Sequence, residues 1–106
     1  MKNDGILSLL GLSARAGKCK SGEFQVESSV KAGHAFLVIL ASDASNGSKK
    51  SYTDMCKYYK VPIYEYATKD ELGHAIGKEE RAAVAILDEG FAKGIIKKVT
   101  TMEENR

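Results

Sequence analysis

Several residue types are scarce in this chain. One proline (Pro62), two cysteines, two histidines and no tryptophan occur in 106 residues. Cys19 and Cys56 lie far apart with no Cys-x-x-Cys or Cys–His spacing, which argues against both a disulfide framework and a zinc site. His34 follows a glycine that stops a helix, and His74 lies within a short helix. Neither has a nucleophile or carboxylate at a telling spacing, so no catalytic residue, metal ligand or cofactor is assigned. The net charge of +2 is too small to hold a polyanion by bulk electrostatics. No apolar run approaches the ~18 residues that suggest a membrane span. Met1 leads directly into helix signals without a leader, so a cytoplasmic protein with no membrane partner is expected.

What is present describes an ordinary globular chain, 43% hydrophobic and 28% charged, of a size for one domain. The charge is uneven. Between Asp43 and Lys60, lysines 49, 50, 57 and 60 face only Asp43 and Asp54; between Glu65 and Glu80, five acids face Lys69 and Lys78. Such asymmetry permits a local basic surface. Three glycine patterns resemble phosphate loops and fail as such. Gly11 to Lys18 has five residues between its glycines, follows a helix, and has Cys19 where a magnesium-binding hydroxyl belongs. Gly73 to Lys78 lies in and just beyond a helix, and residues 46–49 match no fingerprint.

Helix and strand signals alternate. Asn3 or Asp4 can cap a first helix through Ile6, Leu10 and Leu12, ending near Gly17. Residues 18–20 read as a short strand. Ser21 or Gly22 then opens a second helix, with Glu23 in its first turn, Val26 and Val30 on its buried side, and Gly33 as its stop. At about 100° per residue, Phe24 points away from Val26 and shares an exposed face with Ser28 and Lys31. Residues 35–41 form a continuous apolar run, the mark of a strand buried on both faces. Residues 42–47 supply turn and cap chemistry, with Asp43 placed either to cap the next helix or to serve a site at the strand's end. Tyr52, Met55, Cys56 and Tyr59 form the third helix's apolar stripe, which makes Tyr52 and Tyr59 core residues. Residues 63–67 read as a strand, and Thr68 with Glu71 as a capping box. A charged loop, residues 78–81, precedes a buried strand over 82–87, and Asp88 can cap the last helix. The expected architecture is an α/β, three-layer α-β-α sandwich with a central, mixed, four-stranded sheet. It forms a single domain over residues 1–99, followed by a polar tail, residues 100–106.

The motifs Leu10–Lys18, Ser21-Gly22-Glu23, Leu37–Ala44, Cys56–Pro62, Asp70–Lys78 and Asp88–Phe91, in this order, resemble the L7Ae ribosomal-protein family, specifically its short bacterial YlxQ-like members. The likeness extends from Ile6 to Phe91, and residues 71–77 are its most specific part. It implies a non-enzymatic, RNA-binding protein of the α–β–α type. The RNA would be structured, of the kink-turn kind, with ribosomal RNA and ribosome-associated proteins as partners. It further implies a binding surface built from the start of the second helix and the loop before the last strand. The family's Gly-x-Asn-Glu-type motif falls with its glycine on Gly22 and its acid or amide on Gln25, and a basic family position matches Lys69. Phe24 and Ser28 stand where many members carry Asn or Lys and a helix lysine. On this basis Gly22, Glu23 and Gln25 are expected to read base edges, with Phe24 stacking beside Ser28. Lys18, Lys20, Lys31 and Lys69 are expected to neutralise phosphates. The alternative is a protein-interaction module on the same scaffold that has lost specific kink-turn binding and uses Phe24 as its anchor. A nucleotide-binding enzyme is the distant third.

Overall fold

The structure is a computed structural model describing residues 5–104. The expected cap at Asn3 or Asp4 lies outside the described residues. Five helices alternate with four strands: α1 Ile6–Arg15, β1 Cys19–Ser21, α2 Glu23–Lys31, β2 Leu37–Leu40, α3 Asn46–Tyr59, β3 Ile63–Glu65, α4 Lys69–Ala75, β4 Ala83–Ile86 and α5 Glu89–Glu104. The strands lie in the order β1-β4-β2-β3. β4 runs antiparallel to both β1 and β2, while β3 pairs parallel to β2, so the sheet is mixed as expected.

Every residue of β2 and β4 is buried, because these apolar runs have helices on both faces. Helices α2 and α3 pack together on one face, and α1, α4 and α5 on the other. Val26 and Val30 of α2 and Tyr52 and Cys56 of α3 fill the first layer. Ile6, Leu10, Leu72 and Ile95 fill the second. Each fully buried aliphatic side chain contributes about 1.5–3 kcal/mol. Helices α1 and α4 approach so closely that a Cβ on Gly11 would stand 3.0 Å from the Ala75 carbonyl oxygen.

Local signals account for most helix boundaries. The Thr68–Glu71 capping box forms in both directions, and Asp88 Oδ2 accepts the Phe91 N–H at 2.9 Å. Two expectations are corrected. Helix α3 takes Ser45, not Asp43, as its cap, and Asp43 Oδ1 instead accepts the Lys69 N–H at the start of α4, at 2.8 Å. Tyr59, expected in the core, is 40% exposed. It is the last residue of α3, just before Lys60 turns left-handed (φ 61°), and it meets Tyr58 edge to face with ring centroids 4.8 Å apart. The polar stretch after Val99 continues α5 as far as Glu104, and the Thr100 hydroxyl donates to the Ile96 carbonyl at 2.9 Å.

Candidate nucleic-acid interface

Ser21 ends β1, and one residue later α2 begins. The chain makes that junction at Gly22, whose φ of 90° and ψ of 148° lie close to a region reserved for glycine. No side chain caps the first turn of α2 at this residue, and Glu23 stands in that turn. A Cβ at Gly22 would meet nothing within 4 Å among the described residues, so the junction is open to close approach by another backbone.

Across from this junction lies the loop between α4 and β4. Helix α4 closes at Gly77 (φ 75°), whose N–H donates to the His74 carbonyl at 3.1 Å, and Lys78 N–H returns to the Gly73 carbonyl at 2.8 Å. The loop then lies directly on α4. A Cβ on Gly73 would collide with the Glu79 carbonyl oxygen, so glycine is required there. Arg81 bridges the gap: its Nε donates to Ser21 Oγ at 3.0 Å.

Between the junction and the loop runs a groove of about 510 Å³, lined by Ala14, Cys19, Lys20, Ser21, Gln25, Ile76, Gly77, Lys78 and Arg81. Its lining carries three cations, one amide able to donate and accept, and no carboxylate. Burial raises the Cys19 thiol above its ordinary pKa, partly offset by a hydrogen bond with Ser13 and by the nearby Lys20 and Lys78 charges, which leaves the thiol protonated near neutral pH. Among the described residues no group of three His, Cys, Asp or Glu side chains is placed to hold a metal ion, and no helix is long and apolar enough to cross a membrane.

The expected site residues divide. Lys20 and Gln25 line the groove, with Gly22 at its edge. Phe24 is 77% exposed, and Ser28 is exposed one turn further along α2. Lys18 is exposed in the turn before β1, where its backbone bonds Ser13 and Leu87. The backbone of Lys69 is fully engaged: its N–H donates to Asp43 and its carbonyl accepts from Arg81 N–H at 3.1 Å. Glu23 and Lys31 do not join Gln25. They line a second groove of about 560 Å³ between α2 and α3, together with Glu27, Asp54, Tyr52 and Tyr58. There Lys31 pairs with Glu27 at 2.7 Å, and that hydrogen bond with its carboxylate raises the lysine pKa. Burial raises the Tyr52 hydroxyl, and the Glu23 and Glu27 charges raise it further.

Lys78 and Arg81 are the charged groove residues that sequence reasoning left out. The charged loop was visible, but nothing in its spacing says that Arg81 reaches a serine sixty residues earlier.

The family model for the ribosomal protein L7Ae/L30e/S12e/Gadd45 family matches residues 4–96. The chain belongs to this family. It is 47% identical over 88 residues to RNA-binding protein YlxQ of Bacillus subtilis, covering 83% of this chain and 88% of that protein. It is 31% identical over 99 residues to large ribosomal subunit protein eL8 of Thermoplasma acidophilum, covering 92% and 82%. Among solved structures, a Bacillus halodurans protein of unknown function superposes with a TM-score of 0.89 at 40% identity, covering 92% of this chain and 99% of that one. The Giardia lamblia 15.5kD RNA binding protein superposes with a TM-score of 0.76 at 24% identity, covering 95% and 92%, which shows the shared fold. In this L7Ae-family chain the groove lies between the two segments that the resemblance singled out, the start of α2 and the loop before β4.

Proposed function

We propose that this chain is a non-enzymatic RNA-binding protein that recognises sharply bent RNA of the kink-turn type, in the cytoplasm and in association with the ribosome. One observation carries the reading. Lys20, Lys78, Arg81 and the Gln25 amide converge on one groove free of carboxylates, beside the uncapped start of α2. Membership of a ribosomal-protein family, and a close relative named as an RNA-binding protein, support it.

The chemistry follows from the groove. Backbone amides in the first turn of α2 are donors for phosphate or base-edge oxygens, favoured further by the helix dipole. At Gly22 the missing side chain lets an RNA backbone come close. Gln25 offers a donor and an acceptor to a base edge, a contact of the kind that discriminates by about 1–3 kcal/mol. Lys20 and Lys78 neutralise phosphates on either side. Phe24 is exposed enough to stack on an unpaired base, worth about 1–3 kcal/mol where it occurs. Lys18 and Lys69 supply more distant positive charge.

The same exposure of Phe24 favours a second reading, in which the aromatic anchors a protein partner. Titration of the protein into a kink-turn RNA, and into the same RNA with its sheared G·A pairs converted to Watson–Crick pairs, separates the two. At fixed salt and magnesium the intact kink-turn is expected to bind at least about tenfold tighter, a difference of about 1.4 kcal/mol. Weak and equal binding to both RNAs sinks the kink-turn reading and moves the function towards a protein partner.

A further inference from the structure

Arg81 makes hydrogen bonds in three directions. Its Nε donates to Ser21 Oγ at 3.0 Å. Its Nη1 donates to the backbone carbonyls of Glu80 at 3.0 Å and Glu79 at 3.3 Å. Its backbone N–H donates to the Lys69 carbonyl. Ser21 pairs with Val84 in the sheet and immediately precedes Gly22. One half-buried guanidinium therefore ties the loop wall of the groove to the last residue of β1, next to the Gly22 junction.

The loop it ties down carries charge of both signs. Lys78 borders two grooves, the one beside β1 and a separate one between α1 and α4, whereas Glu79 and Glu80 line only the second, beside Asp70 and Glu71. If the loop turned about its own axis, carboxylates would enter the cationic groove and repel a phosphate backbone. A guanidinium is suited to prevent this, because its rigid fork donates in several fixed directions at once, which a lysine ammonium on a flexible stem does not reproduce.

We infer that Arg81 is a positioning residue for RNA. Its fork sets the loop so that Lys78 borders the groove while the carboxylates of Glu79 and Glu80 stay out of it, which pre-organises the interface before RNA arrives. The inference rests on the RNA-binding reading of this groove.

The test uses Arg81→Lys, which keeps the charge and removes the fork, Ser21→Ala, which removes the acceptor and keeps the arginine, and the double variant. Amide hydrogen exchange is measured on the free proteins, and affinity on the kink-turn RNA and its Watson–Crick control over a range of salt. Exchange is expected to quicken at residues 78–81 in both single variants, with little change in the unfolding midpoint. Kink-turn affinity is expected to fall about tenfold in Arg81→Lys and about threefold in Ser21→Ala, with the salt slope unchanged because no charge is lost. The double variant is expected to bind no worse than Arg81→Lys alone, since both changes break one link. Unchanged exchange in the loop shows that the fork does not hold it and overturns the proposal. Faster exchange with unaltered affinity, or losses that add in the double variant, overturns the positioning role, the second by making Arg81 a direct RNA contact. If the wild type binds both RNAs weakly and equally, the kink-turn reading falls and the RNA role of Arg81 with it. Exchange in the free variants still decides whether the fork holds the loop.

Discussion

Helix α2 separates two grooves of similar size and opposite character. On the β1 side the lining charges are Lys20, Lys78 and Arg81. On the α3 side they are Glu23, Glu27 and Asp54, with Lys31 already paired to Glu27 and with Tyr52, Tyr58 and Tyr59 alongside. A chain of net charge +2 thus builds a cationic surface by sorting its charges across one helix. A bulk electrostatic argument misses this, because the field that a phosphate meets is local and is screened within about 10 Å in 0.1 M salt. Helical position alone assigns residues 23–31 to faces. Which groove each face borders depends on β1, the loop before β4 and α3.

The largest expected effect on this contrast comes from Gly73→Ala. The added methyl meets the Glu79 carbonyl, so the loop wall must move. Overpacking of this kind costs about 1–3 kcal/mol, which in a domain of this size lowers Tm by roughly 5 °C or more. RNA affinity is expected to fall at least about tenfold, against a salt slope kept close to wild type. A full loss of stability with unaltered affinity per folded molecule would detach the loop from the interface.

Smaller effects come from removing single charges on the two sides. Lys78→Ala is expected to weaken kink-turn and control RNA about equally and to reduce the salt slope by about one phosphate contact. Lys31→Ala, on the α3 side and already neutralised by Glu27, is expected to shift affinity less than about twofold. The pair is exposed to solvent, so its loss is expected to leave the unfolding midpoint nearly unchanged. Equal effects of the two substitutions in salt-dependent titrations would abolish the distinction between the grooves.

Much of the fold was legible in the sequence because it is written in local signals. The apolar runs that contain β2 and β4, the Thr68–Glu71 box and the Asp88 cap each state a structure within a few residues. The misreadings come where tertiary partners decide. Asp43 was open to two roles, capping the helix that follows it or serving a site at the strand's end, yet its carboxylate holds the first turn of α4 across the end of the sheet. Tyr59 keeps the period of a buried stripe, but the helix ends there and leaves it partly exposed. Within the candidate site, Gly22 and Gln25 were singled out by the family resemblance, and Gln25 does line the groove. Glu23 and Gln25, about 200° apart around the helix, fall on different faces from spacing alone, but that these faces border different grooves is set by β1, α3 and the loop before β4. The role of Arg81 depends on a hydrogen bond to Ser21 between elements distant in the chain, and no spacing rule predicts it.

The most direct test is to follow backbone amide resonances of the isotopically labelled protein during titration with kink-turn RNA. Assignment of the RNA face to the β1 side of α2 requires the largest shifts at residues 20–25 and 77–81, with little change at Glu27, Asp54, Tyr58 and Tyr59. Shifts centred on the α2–α3 groove, with residues 77–81 undisturbed, would contradict it.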